Sequence, residues 1–120
     1  MTATDPPAGF CVLLVEDEYF LAQELMEVFE SRGAQVVGPV PSVEEALELI
    51  AATAQLDGAV LDINLQGEMA YTVADALEAR GVPFVFATGY DQETIPKRYA
   101  QAQFFGKPIV TSQVAQALLA

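Results

Sequence analysis

The sequence predicts an α/β domain: an open, doubly wound sheet of five parallel strands with helices on both faces. Two observations carry that expectation. Short apolar runs, the pattern of strands covered on both faces, alternate with longer segments whose apolar residues recur at helical spacing. Glycine and proline punctuate the joins, at Gly33, Pro39, Pro41, Gly81 and Pro83. With right-handed crossovers, such alternation leaves few other architectures for 120 residues. That length suffices for one well-buried core.

Taken in order, Cys11 to Val15 is the first strand. From Tyr19 the period lengthens: Leu21, Ala22, Leu25, Val28 and Phe29 share one helical face, with Glu24, Glu27 and Glu30 turned away. Gly33 ends that helix where a left-handed residue is cheapest. Gln35 to Gly38 is the second strand, stopped by Pro39 and Pro41. Ser42 and Glu45 form a capping box that opens a helix with Val43, Ala46, Leu47 and Ile50 inside. A third strand covers Gly58 to Leu61, a third helix runs from about Thr72 to Arg80, and a fourth strand spans Pro83 to Ala87. Pro96 removes a helix donor and disfavours helix at Ile95, so the fourth helix is expected to be short or distorted, starting at Pro96. The fifth strand, Gln103 to Phe105, precedes a last helix with Val114, Ala115, Leu118 and Leu119 on one face.

Composition excludes several function classes. Five basic residues against 17 acidic give a formal net charge of −12, which repels nucleic acid and anionic membranes. No run approaches the ~18 apolar residues of a membrane span. Cys11 is the only cysteine, so no internal disulfide forms, and a reducing, cytoplasmic setting is expected. Met1 to Gly9, with Pro6 and Pro7, has neither the basic start nor the apolar stretch of a secretory signal and reads as a flexible arm before a domain spanning 10–120.

In doubly wound sheets the chemistry gathers at the carboxyl ends of the strands. Here those ends carry Glu16, Asp17 and Glu18 after the first strand, Asp62 after the third, Thr88 and Gly89 after the fourth, and Lys107-Pro108 after the fifth. Each has an ordinary explanation alone. Acids before a helix stabilise its amino end, an Asp after a strand forms turns, and a lone Lys is a solvated charge. Together they converge on one rim. Mg²⁺ takes oxygen ligands from one or two carboxylates and often completes its shell with phosphate oxygens. Two carboxylates from the loop of Glu16, Asp17 and Glu18, with Asp62 and a backbone carbonyl near Asn64, suit it. Such an ion also answers the charge of a stretch whose first basic residue is Arg32.

These landmarks resemble the receiver domain of bacterial two-component response regulators, over Phe10 to Ala120. The resemblance implies a flavodoxin-like sheet in the order 2-1-3-4-5. It implies Mg²⁺ held by Glu16, Asp17, Asp62 and the Asn64 carbonyl, with Asp62 as phosphoacceptor. Thr88 then contacts the phosphoryl group and Lys107 neutralises it. The donor would be a histidine kinase, because the chain has no His of its own. Such a protein is a phosphoacceptor that assists its own phosphorylation and dephosphorylation, not an enzyme in the usual sense. Output would pass through contact with a downstream protein, or the domain would drain phosphoryl groups from the kinase, as a monomer or weak dimer.

Two features narrow the resemblance. Gln66 and Gly67 stand where receivers usually have proline four residues after the phosphoacceptor. Phe86-Ala-Thr-Gly-Tyr90 resembles the motif of a subfamily of often stand-alone receivers paired with HWE-type histidine kinases. In common receivers an aromatic three residues before the lysine swings inward on activation. Phe104 holds that place without a hydroxyl, so Tyr90 is a second switch candidate.

Three other classes fit the residues less well. An Asp-nucleophile phosphatase needs a second Asp two residues on, and that residue is Asn64. A flavin or nucleotide carrier needs a glycine-rich loop after the first strand, which is lacking. A non-phosphorylated adaptor would not require the acidic pair, Asp62, Thr88 and Lys107 together.

Overall fold

The computed structural model describes residues 9–119, so the expected arm, Met1 to Gly9, lies outside the described residues except for Gly9. Its main elements are β1 (Cys11–Val15), α1 (Tyr19–Ser31), β2 (Gln35–Val40), α2 (Val43–Ala52) and β3 (Gly58–Leu61). A small hairpin follows, β4 (Asn64–Leu65) and β5 (Glu68–Met69), then α3 (Tyr71–Ala79), β6 (Phe84–Thr88), β7 (Gln103–Gly106) and α4 (Thr111–Leu119). The main sheet is five-stranded and parallel, in the order β2-β1-β3-β6-β7. Counting only these five strands, this is the flavodoxin-like order 2-1-3-4-5 that the resemblance implies.

Side-chain alternation along the strands builds two cores. Leu13, Val15, Ala59, Leu61, Phe84 and Phe86 face α2 and α3, whereas Val12, Leu14, Val60, Val85 and Ala87 face α1 and α4. α1 seats Ala22, Leu25 and Phe29 on the second layer, with Leu21 and Val28 only half-buried at its margins. Burying a side chain such as Leu25 or Phe29 contributes roughly 1.5–3 kcal/mol relative to exposure. α2 opens on the expected cap: Glu45 N donates to Ser42 Oγ at 3.2 Å, and Ser42 Oγ donates to the Glu45 carboxylate at 2.8 Å. At its other end, Arg80 donates to the carbonyls of Ile50, Thr53 and Ala54. One side chain thereby satisfies two carbonyls that the helix end leaves open, those of Ile50 and Thr53, and one just beyond it.

The structure departs from the sequence reading in two places, at the end of β2 and in the turn after β3, and it bears out the expected distortion of the fourth helix. β2 continues through Pro39 to Val40. Its place at the sheet edge tolerates a residue with no N–H, and the pairing with β1 shifts register between Leu13 and Val15. Gly38 makes that shift feasible, at φ +89° with a built Cβ only 2.9 Å from Leu14 O. The fourth helix is short and distorted as expected, reduced to two 3₁₀ turns, Gln92–Thr94 and Lys97–Tyr99, the second starting after Pro96. Tyr99 anchors this segment: it is buried, stacks on Tyr71 with centroids 5.4 Å apart, and places its hydroxyl 2.5 Å from Asp75 Oδ1. The hairpin β4–β5 was not foreseen. Gln66 at φ 55° and Gly67 at φ 91° supply the two positive dihedrals that a tight two-residue hairpin turn demands.

Gly38→Ala is expected to lower stability by about 2 kcal/mol or more, combining left-handed strain with the clash on Leu14 O. The measurement is a urea midpoint at unchanged slope. An unaltered midpoint rejects this account of the sheet edge.

Candidate functional site

Strand pairing continues one residue past the strand ends and fixes where the rim side chains leave. Glu16 N donates to Val40 O at 3.0 Å, Asp62 N to Val15 O at 3.0 Å, and Lys107 N to Thr88 O at 2.9 Å. Consequently Glu16, Asp17, Asp62, Thr88 and Lys107 meet at one edge, although the chain separates Glu16 from Lys107 by 91 positions. Asp17, Asp62, Thr88 and Lys107 border a cleft of about 370 Å³, with Asn64, Gly89 and Tyr90 on its rim, while Glu16 is buried and bonded to Lys107. A larger groove, about 520 Å³, lies by Gly81, Val82 and Phe84 near the amino ends of the strands. Among the described residues Glu78 is the sole ionisable one lining it, so the smaller cleft, where titratable groups converge, is the better candidate.

Lys107 organises the floor. Its Nζ donates to Asp62 Oδ2 at 2.8 Å, Glu16 Oε2 at 3.0 Å and Glu18 Oε1 at 3.0 Å. Glu16 and Asp62 are buried and Thr88 is fully so. Burial pushes the Glu16 carboxyl from its ordinary 4.5 up to about 7, against the hydrogen bond from Lys107 and with the charge of Asp62 adding to the rise. Burial acts on Lys107 too and by itself would lower its pKa, but hydrogen bonds to Asp62, Glu16 and Glu18 outweigh it and hold the ammonium charged.

One oxygen stands out. Among the described residues, Asp62 Oδ1 is buried with no hydrogen-bond partner while Oδ2 is bound to Lys107. Buried polar atoms are rarely left so, and an orphan of this kind points to a group the site is built to receive. Carboxylate oxygens of Glu16, Asp17 and Asp62 lie within 4.8 Å of one another, close enough to share a cation. The donor set is all oxygen, which fits Mg²⁺ better than a softer metal.

The structure brings the sequence-predicted residues together unevenly. Asp17 is held from outside the acidic loop, its Oδ2 accepting from Gln66 N at 3.0 Å. Asn64 lines the cleft, and its side-chain Oδ1 accepts from Gly67 N at 2.9 Å. Thr88 Oγ1 accepts from Tyr90 N at 3.2 Å, with Tyr90 partly exposed above it. Phe104 is half-buried and lines a small pocket with Phe86, Ile95, Pro96 and Tyr99, beneath the 3₁₀ turns. Two participants were missed: Glu18 as a partner of Lys107, and the Gln66 amide as a support for Asp17. Glu18 was legible only as one acid among three. The amide depended on the unforeseen hairpin.

A parallel α/β sheet whose carboxyl edge gathers acids, a hydroxyl and a lysine has the layout of a signalling receiver domain. The chain belongs to the response regulator receiver domain family, whose profile matches residues 12–118. It is similar to SdrG from Sphingomonas melonis Fr1, at 36% identity and a TM-score of 0.78 over 95% of this chain and 99% of the other. It is also similar to the BeF3-activated conformation of SdrG from Pseudomonas melonis Fr1, at 38% identity and a TM-score of 0.74, covering 92% and 94% of the two chains. A CheY-like receiver domain from Methylobacillus flagellatus shares the fold, at 23% identity and a TM-score of 0.77 over 93% and 97%. No curated protein matches. Among the described residues no helix is long and apolar enough to cross a membrane.

Proposed function

We propose that this receiver accepts a phosphoryl group on Asp62 Oδ1 from a phosphohistidine of a partner kinase. The observation that carries this reading is the division of labour at Asp62: Oδ1 has no partner while Oδ2 is fixed to a charged lysine. In the transfer a P–O bond forms at Oδ1 as the P–N bond to imidazole breaks, and the imidazole leaves. The protein has little covalent work beyond supplying Asp62. Catalysis is positioning and neutralisation of charge on the phosphoryl oxygens. Lys107 supplies one cation, the Thr88 hydroxyl a donor, and Gly89, lacking a side chain, leaves room for the incoming group.

Mg²⁺ fits the same cleft. Glu16, Asp17, Asp62 and the Asn64 carbonyl would hold it, and when bound it supplies the remaining positive charge that two or three carboxylates and a phosphoryl group require. Asn64 has no carboxyl proton to exchange and its side-chain oxygen is engaged with Gly67 N, which leaves an Asp-nucleophile phosphatase without its acid. The Phe86–Tyr90 motif supports membership of the Phe-Ala-Thr-Gly subfamily and, with it, an HWE-type kinase as donor. Output then passes by protein contact, with Tyr90 and Phe104 as the residues that change on activation, or the domain acts as a phosphate sink.

The test is a two-dimensional amide NMR titration with Mg²⁺ and then beryllofluoride, a phosphoryl mimic. Shifts centred on Asp17, Asp62, Thr88 and Lys107 are expected, with the Tyr90 amide moving as Thr88 Oγ1 takes a new partner. Silence of these signals towards both ligands would leave an adaptor as the better reading.

A further inference from the structure

We propose that Glu18 is a competing acceptor for Lys107, a positioning residue that weakens the site's hold on a phosphoryl group at Asp62. This rests on the phosphoacceptor reading given above. Glu18 is the N-cap residue of α1, where an acid ordinarily serves the first helix amides, yet it makes no side-chain cap bond. Its carboxylate reaches across the rim to Lys107 Nζ at 3.0 Å. Its own backbone N–H donates to Glu16 Oε2 at 3.1 Å, the oxygen that Lys107 Nζ also binds at 3.0 Å. Glu16, Glu18 and the ammonium thus close a ring beside Asp62.

An ammonium has three N–H donors, and Asp62, Glu16 and Glu18 occupy all three. A phosphoryl group arriving on Asp62 needs one of them, so one acceptor must yield. Burial decides which. The Glu16 and Asp62 side chains are 1% and 5% exposed, and either would lose its cation with no water to replace it. The Glu18 side chain is 61% exposed and regains water when released. It is therefore the acceptor that gives way, and its charge opposes the incoming anion from a neighbouring position. Competition and repulsion act in the same direction.

The experiment uses the whole chain with Glu18→Gln and Glu18→Asp, neither of which removes a helix cap bond. Two quantities are read: beryllofluoride affinity at saturating Mg²⁺, and the side-chain ammonium NMR signal of ligand-free Lys107. The glutamine variant is expected to bind beryllofluoride about two- to fivefold more tightly, the range an exposed ion pair supports. The aspartate variant keeps the charge but shortens the reach, and is expected to follow the glutamine variant. In both, the Lys107 ammonium protons exchange faster with water. Unchanged affinity in the glutamine variant overturns the competition, and an aspartate variant that behaves as wild type assigns the effect to distant charge instead. An unaltered Lys107 signal overturns the contact itself, with no phosphoryl mimic needed. A wild type that ignores beryllofluoride sinks the phosphoacceptor reading and the competition with it, an outcome separate from any failure specific to Glu18.

Discussion

Asp62→Asn will abolish phosphoryl uptake and leave the domain folded. The amide nearly matches the carboxylate in shape, so the turn after β3 and the bond from Asp62 N to Val15 O remain available. What disappears is the anionic nucleophile at the buried Oδ1 position. Lys107 keeps Glu16 and Glu18 as acceptors, so its charge is not stranded. Labelling with a small-molecule phosphoryl donor and with a phosphorylated histidine kinase is expected to fall below detection. The urea midpoint is expected to stay within the ~1 kcal/mol that losing one arm of a hydrogen-bonded network costs. A second readout comes from Glu16. The charge of Asp62 helps to raise the Glu16 pKa, so the carboxyl of Glu16 is expected to titrate lower in the variant. Labelling that persists in Asp62→Asn places the acceptor elsewhere, and an unfolded variant makes Asp62 a structural residue.

The rim was legible in the sequence because strand ends are legible. Apolar runs stop abruptly at Glu16, Asp62 and Lys107, and a parallel sheet brings those stops to one edge whatever the helices do. Helix faces were readable for the same reason of period: Val114, Ala115 and Leu119 of α4 are buried as spaced, with Leu118 half-buried beside them. The misses share a different cause. Pro39 was read by its local rule, which the sheet edge relaxes. Gln66 has no preference for positive φ, so the hairpin depended on its tertiary surroundings, including the Gln66 N–H bond to Asp17. Glu18 looked like a helix-start acid because nothing local reveals that Lys107, 89 positions away, competes for it. Pro96 gave away the distorted fourth helix, whereas the anchoring of Tyr99 through Tyr71 and Asp75 rests on contacts without a sequence period.

Lys107→Met is expected to destabilise the protein in a manner that depends on pH. Breaking a buried ion pair by removing one partner costs about 3–5 kcal/mol, because the remaining charge stays desolvated. Here Glu16 and Asp62 are both left without their cation. The sign of the pH effect follows from Glu16. Its folded-state pKa is already raised, from 4.5 to about 7, chiefly by burial. A carboxyl raised on folding favours the folded state when protonated, so its cost is full above the folded pKa and vanishes below the unfolded one. For the wild type this amounts to about 3 kcal/mol at most, relieved between pH 7 and 4.5. Lys107 opposes the rise, so its loss drives the Glu16 pKa higher and enlarges the cost at pH 8. The Lys107 ammonium itself, whose pKa is raised from 10.5, stays charged below pH 8 and adds no slope there. Urea denaturation at pH 8, 6.5 and 5 is therefore expected to show a deficit in the variant that shrinks steadily with acid. Mg²⁺ added at pH 8 is expected to restore part of it by returning positive charge to the same oxygens. A deficit of equal size at all three pH values would show that methionine disturbs packing rather than charge, and no deficit at all would mean that the three carboxylates never depended on Lys107.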